Sequence, residues 1–160
     1  MEVYPMRVMR TLLGGTILLA SGLGLLLLPP GAVSGSPQEP GAVPAHHRQP
    51  PEGPLPATLS PAQFNDPVVK NAYAAAARIK KTLYQQPCYC HCDRSVGHGS
   101  LLDCYVSQHA SGCDICIRET FYASEQQRKG KTAAQIRAGI IRGEWEKMDI
   151  SRYDAYPPAK

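Results

Sequence analysis

The chain has 160 residues, with 17 Lys and Arg against 13 Asp and Glu, which gives a formal net charge of +4. This length accommodates one domain of modest size. The positive charge is small and is not gathered in one run, so a nucleic-acid-binding surface is excluded. The sequence has no Gly-rich phosphate loop, no nucleophile elbow and no His-Glu-x-x-His motif, which excludes the common hydrolase and transferase sites.

The N-terminal segment, residues 1–34, has the order of an export signal. Arg7 and Arg10 precede an apolar run of 18 residues, TLLGGTILLASGLGLLLL, and two prolines and the small-residue run GAVSGS follow it. A signal-peptide core has about 7–15 apolar residues, whereas a spanning helix needs about 20. We therefore expect a signal peptide, cleaved for example after Ser34, or an uncleaved membrane anchor. In either case the rest of the chain is expected to be extracytoplasmic, in a periplasm or at a cell surface.

Residues 35–61 are predicted to be a disordered, proline-rich linker. The segment has eight prolines and few apolar side chains. It therefore buries too little surface to offset the entropy of ordering, and its prolines favour an extended, semi-stiff spacer. His46 and His47 lie within it and are interpreted as solvated polar residues.

Residues 62–157 are predicted to form a Cys-rich helical domain. The first helix is expected in DPVVKNAYAAAARIKKTLYQQ, with Asp66 as N-cap and Pro67 at the first helical position. Its apolar residues recur at helical spacing. Pro87 ends the segment, because the residue before a proline is pushed away from helical geometry. The helix thus leads directly into the motif PCYCHC.

Three more helices are predicted. The segment SLLDCYVSQHA indicates a short helix with Ser100 as its cap. A third helix is expected in DICIRETFYASEQQRKG, with Asp114 as cap and Gly130 as its end. A fourth is expected in TAAQIRAGIIRGEWEK, where Thr132 and Gln135 have capping-box spacing. No alternating stretch is long enough for a strand, so the sequence predicts a small all-α domain.

All six cysteines lie within 29 residues of this domain. They are Cys88, Cys90, Cys92, Cys104, Cys113 and Cys116. Two thiols separated by one residue are poor disulfide partners for each other, because the ring is small and the required torsion is hard to reach. Their sulfurs can instead face one point, and thiolates select copper(I) and zinc.

The second cysteine motif is CDIC. Two residues between thiols let both sulfurs grip one ion, and this is also the spacing of dithiol redox sites. Cys113 lies just before a predicted helix and Cys116 lies in its first turn. The positive end of the helix would stabilise a thiolate there.

Residues between the two motifs complete the candidate site. His98 is flanked by glycines, which lets the backbone bring its ring close to another group, and Cys104 lies near the other thiols. His91 is a further candidate nitrogen ligand. His109, near the end of a short predicted helix, is interpreted as a residue that favours the helix C-terminus.

The segments PCYCHC, GHGSLLDCYV, CDIC and GKTAAQIRAGI together resemble the bacterial PCYCGC-motif proteins, also described as CYCXC (seleno)proteins. The resemblance covers about residues 84–145. It implies Cys88, Cys90, Cys92, His98, Cys104, Cys113 and Cys116 as signature positions, and an exported or membrane-attached form. Two features depart from the family pattern: His91 stands where many relatives have glycine, and the lipid-attachment cysteine common in Gram-positive relatives is missing. The resemblance implies a shared site rather than a known reaction, and the selenoprotein relatives favour redox or soft-metal chemistry.

Three hypotheses remain open. The favoured one is an exported or anchored protein, not an enzyme, that binds copper(I) or zinc through the seven signature residues, with the metal ion as its partner. The membrane is a second partner if the N-terminal segment is uncleaved; nucleic acid is not one, and any protein partner is unspecified. The alternatives are a thiol–disulfide oxidoreductase, with Cys113 attacking and Cys116 resolving, and a structural domain joined by three disulfides.

Overall fold

The computed structural model of the protein describes residues 41–155. Helices are the only regular secondary structure in this range, so the all-α prediction is confirmed. The predicted signal or anchor segment, residues 1–34, lies outside the described residues. Within the described range, no helix has the length and apolar character needed to cross a bilayer.

Six α-helices follow one another along the described chain. They are α1 (Pro67–Arg78), α2 (Lys80–Leu83), α3 (Cys92–Ser95), α4 (Asp103–Val106), α5 (Asp114–Arg128) and α6 (Ala133–Ile141). Short 3₁₀ turns cover Pro61–Gln63, His109–Gly112, Glu144–Lys147 and Ile150–Tyr153. The two longest helices, α1 and α5, pack against each other. The core includes fully buried Tyr73, Leu83, Tyr105 and Phe121.

Helix α1 begins as predicted but ends early. The Asp66 carboxylate accepts a hydrogen bond from the Val69 amide at 3.0 Å, and Pro67 occupies the first turn. The prediction of one continuous helix up to Pro87 is wrong, because Ile79 leaves helical geometry at φ −117° and ψ 28°. Ile79, at the break, and Leu83, after it, are both buried, so the bend keeps both side chains in the core.

The helix predicted from Ser100 is reduced to the single turn α4. Ser100 does not cap it; the Asp103 carboxylate instead accepts from the Gly99 and Ser100 amides at 2.7 and 3.1 Å. Ser107 is extended, and its carbonyl accepts a hydrogen bond from the Tyr73 hydroxyl at 2.7 Å. This tertiary contact holds the chain out of helical geometry immediately after α4.

The start of α5 and the end of α6 differ from their predicted positions. The cap of α5 is Cys113, not Asp114, since the Cys113 sulfur accepts from the Cys116 amide at 3.5 Å. The capping box of Thr132 and Gln135 is confirmed at the start of α6. Helix α6 ends at Ile141 rather than continuing, because Gly143 takes a left-handed φ of 73° and a 3₁₀ turn follows.

Residues 41–60 form neither helix nor strand, yet they contact the helical domain. The Leu59 amide donates to the Tyr105 carbonyl at 2.9 Å, and Leu55 and Leu59 pack against the core. The His47 ring stacks on Tyr84 with ring centroids 3.8 Å apart. This part of the predicted linker therefore differs from a detached spacer, because a few apolar and aromatic side chains suffice to dock it. The exact domain limits stay predictions.

Candidate metal centre

A tight turn places the first three cysteines. The His91 amide donates to the Cys88 carbonyl at 3.1 Å, and His91 adopts the left-handed conformation at φ 56°. The turn brings the chain into α3, which begins at Cys92. The sulfurs of Cys88, Cys90 and Cys92 thereby lie within 4.8 Å of one another, in a turn rather than an extended segment.

Three sulfurs from the turn and from α5 form a triangle. The Cys88 sulfur lies 3.3 Å from that of Cys90 and 3.4 Å from that of Cys116, and the Cys90 and Cys116 sulfurs are 3.8 Å apart. Cys116 lies in the first turn of α5, next to the capping sulfur of Cys113. The two cysteine motifs, far apart in sequence, therefore meet at one place.

A second group of ligand atoms lies beside this triangle. The sulfurs of Cys92 and Cys104 are 3.4 Å apart, and His98 Nδ1 lies 3.3 Å from the Cys104 sulfur. The one-turn helix α4 carries Cys104. Burial and the neighbouring His109 ring lower the pKa of His98, which favours the neutral imidazole that binds metals.

Sequence reasoning missed the part that His109 takes in this geometry. Its Nε2 lies 3.7 Å from the Cys90 sulfur, and its ring meets that of His98 edge to face with centroids 5.0 Å apart. His109 does not end an α-helix as expected; it begins a 3₁₀ turn. The only sequence signal was its position between Cys104 and Cys113.

All seven predicted site residues thus lie in one cluster, together with His109. Their ligand atoms fall into three overlapping groups, and within each group all atoms lie within 4.8 Å of one another. The groups are Cys88, Cys90, Cys92 and Cys104; Cys90, His109, Cys113 and Cys116; and Cys92, His98, Cys104 and His109. The other candidate, His91, is in none of them. The structure brings the residues together, while their role as metal ligands stays a prediction.

The thiols differ in exposure and in proton affinity. Cys88, Cys92, Cys104 and Cys116 are buried, whereas Cys90 and Cys113 are partly exposed. Hydrogen bonds from neighbouring thiols, that of Cys104 foremost, hold the pKa of Cys90 below its usual range. Contact with the same thiol, together with burial, raises the pKa of Cys116. The surroundings of Cys90, on the solvent side, therefore favour its thiolate form.

Two buried polar side chains form hydrogen bonds with the backbone at and next to the cluster cysteines. The Glu119 carboxyl is fully buried on α5 and accepts a hydrogen bond from the Tyr89 amide at 2.8 Å, between Cys88 and Cys90. Burial raises the pKa of Glu119 to about 8, so the carboxyl is protonated at neutral pH. The Tyr105 hydroxyl donates to the Cys116 carbonyl at 3.0 Å and positions the start of α5.

Comparison with protein families matches residues 54–145 to a family described as proteins of unknown function with a PCYCGC motif. The chain belongs to this family. The match spans the whole cysteine cluster and starts within the predicted linker, at a part that docks on the helices. Searches of curated proteins and of solved structures gave no match.

The PCYCGC family motif explains one feature of the turn. At the position of the glycine in PCYCGC, this chain has His91, which is the one described non-glycine residue with a positive φ. Glycine adopts this conformation without steric cost. The glycine of the motif therefore suits the backbone conformation of this turn, while the three cysteines supply the thiols.

Proposed function

We propose that this PCYCGC-family protein is an exported or membrane-anchored protein that binds a soft metal ion, copper(I) or zinc, through its cysteine–histidine cluster. The observation that carries the proposal is the triangle of the Cys88, Cys90 and Cys116 sulfurs, with the His109 nitrogen 3.7 Å from one corner. Thiolate and imidazole are the ligands that these ions prefer.

The spacing of the ligand atoms suits an ion. Four sulfurs arranged tetrahedrally at the usual zinc–sulfur distance of about 2.3 Å lie about 3.8 Å from one another. The closest sulfur–sulfur approaches in the cluster are 3.3–3.8 Å. Small outward shifts of these side chains would therefore complete a coordination sphere.

A set of disulfide bonds accounts for fewer of these contacts than a bound metal ion does. A disulfide joins two sulfurs, whereas each sulfur of the triangle contacts both others, so a bond between any two leaves the third to pair outside the triangle. The six cysteines are free. The two histidine nitrogens would also have no part in a set of disulfides.

A thiol–disulfide enzyme with Cys113 as its attacking thiol is less well supported. Although the hydrogen bond with Cys116 acts to lower the pKa of Cys113, contact with Cys90 and burial together raise it above the usual thiol value. An attacking cysteine needs a depressed pKa to be a thiolate at neutral pH. Cys113 is therefore better suited to bind a metal, which displaces the thiol proton, than to attack a disulfide.

The test is to purify the protein from its natural compartment and to measure metal content and free thiols in the same sample. We expect stoichiometric copper or zinc, with thiols that react fully only after chelation. Metal-free protein without free thiols, which unfolds on reduction, would support the structural disulfides instead. Metal-free protein with one reversible, oxidising disulfide would support the enzyme.

A further inference from the structure

We infer that the cluster is a two-ion centre made of two sets of ligands, each with three cysteines and one histidine; the inference rests on the proposed metal binding. The outer set is Cys90, Cys113, Cys116 and His109. The inner set is Cys88, Cys92, Cys104 and His98. This partition assigns every thiol of the described domain and gives His109 a ligand role.

The outer set is complete as the structure stands. Its four ligand atoms all lie within 4.8 Å of one another. Cys113 caps α5 and Cys116 follows in the first turn, so one helix start supplies two of its sulfurs. Cys90 and His109 approach from the turn and from the 3₁₀ segment, 3.7 Å apart.

The inner set follows from the two remaining groups. Cys92 and Cys104 belong to both groups, and their sulfurs are 3.4 Å apart. Once Cys90 and His109 bind the outer ion, Cys88 remains from one group and His98 from the other. His98 is already in place, with Nδ1 3.3 Å from the Cys104 sulfur.

A single ion would leave much of the cluster unused. A tetrahedral zinc takes four ligands, and three cysteines with one histidine are a common structural set. One ion therefore accounts for four of the eight ligand atoms, whereas two ions account for all of them. The Cys88 sulfur lies 3.3 and 3.4 Å from outer-set sulfurs, so the two ions would be neighbours.

The two sets differ in access to solvent. Cysteines of the inner set are at most 3% exposed. In the outer set Cys90 and Cys113 are partly exposed, and the histidine of each set is partly exposed. We therefore assign the outer ion as the one that exchanges with solution and the inner ion as the one that is retained.

The test uses the full-length protein, reduced, metal-free and loaded separately with zinc sulfate and with a copper(I) salt under nitrogen. Bound metal is measured by mass spectrometry after desalting, and removal by a chelator is followed in time. We expect two ions per wild-type chain, lost in a fast and a slow phase. His109→Gln combined with Cys113→Ser should retain one ion and lose the fast phase.

Variants of the inner set provide the matched comparison. His98→Gln should lose only the slow phase, and because His98 is partly exposed this change does not disturb the core. His46→Gln is the control outside the cluster and should retain two ions. Circular dichroism confirms that each variant keeps its helices.

The outcomes separate this inference from the proposed function. No bound ion in the folded wild type would contradict metal binding itself. One ion per wild-type chain with either metal would overturn the two-ion centre and leave metal binding intact. Loss of all metal from the folded outer-set variant would also overturn the partition, because the two sets would then not act separately.

Discussion

His91 occupies a position that its side chain does not suit. Its φ of 56° lies in the left-handed region, where a residue with a Cβ costs about 1–2 kcal/mol. Its Nδ1 is buried without a hydrogen-bond partner. The sequence alone identified His91 as a departure from the family motif and as a candidate ligand. The backbone conformation, which depends on how the turn closes, could not be predicted from it.

We predict that His91→Gly stabilises the metal-free protein relative to His91→Ala by about 1 kcal/mol, because only glycine accepts this φ without strain. Neither change should alter the number of bound metal ions, since His91 belongs to no ligand group. Urea unfolding and metal analysis of the two variants provide the measurement. Equal stabilities, or loss of an ion from both variants, would contradict this account of the turn.

Glu119 connects α5 to the turn that carries the first cysteines. Its carboxyl accepts from the Tyr89 amide within the core. We predict that Glu119→Ala lowers the free energy of unfolding by about 1–3 kcal/mol, because a buried amide loses its partner, and weakens metal binding because the turn is released. The measurement is urea unfolding with a parallel metal titration.

Two further variants make this prediction specific. Glu119→Gln keeps an oxygen acceptor and should lie much closer to wild type than Glu119→Ala. Glu52→Ala, at an exposed position, should have no effect on either measurement. If Glu119→Ala and Glu52→Ala behaved alike, the hydrogen bond to Tyr89 would not support the turn.

Among the elements, local signals predicted the starts of α1 and α6 but not their ends. Asp66 with Pro67, and Thr132 with Gln135, cap their helices as the sequence indicates. The breaks at Ile79 and Ser107 come from burial and from a hydrogen bond to Tyr73, which lies 34 residues from Ser107. Such breaks depend on tertiary contacts and leave no local pattern.

The packing of α6 on α5 depends on a glycine. A Cβ at Gly139 would lie 1.9 Å from the Tyr122 hydroxyl oxygen and 2.8 Å from its Cζ. We predict that Gly139→Ala destabilises the protein by about 1–3 kcal/mol through this overlap, although helix propensity alone favours alanine by about 1 kcal/mol. Thermal or urea unfolding measures the difference.

Gly112→Ala is the matched control for Gly139→Ala. A Cβ at Gly112 meets no atom within 4 Å, so its effect should stay within about 0.5 kcal/mol. A neutral or stabilising Gly139→Ala would show that α6 can move away from α5 without cost, and that propensity outweighs the contact.

At the scale of the whole molecule, the sequence identified the seven signature residues but not which of their ligand atoms lie together in space. The close spacing of Cys88, Cys90 and Cys92 and the motif CDIC indicated a site, because thiols so close in sequence must be close in space. The place of His109 in the cluster and the overlap of the ligand groups could not be predicted. They depend on how α4, the 3₁₀ turn at His109–Gly112 and the start of α5 meet.

Part of the predicted linker also belongs to the folded unit. Residues 45–60 lack regular structure, but the Ala45 amide donates to the Asp93 carboxylate at 3.0 Å, and Leu59 pairs with Tyr105. Composition predicted a disordered, proline-rich linker for residues 35–61. It could not predict docking, because a few well-placed side chains decide it rather than the average polarity of the segment.

The measurement that tests the central claim most directly is X-ray absorption at the metal edge of the loaded full-length protein. We predict a first shell dominated by sulfur at about 2.3 Å, with a minor nitrogen contribution at about 2.0–2.1 Å when the metal is zinc. A shell of oxygen and nitrogen alone would contradict the account, since the ion would then lie outside the cysteine cluster.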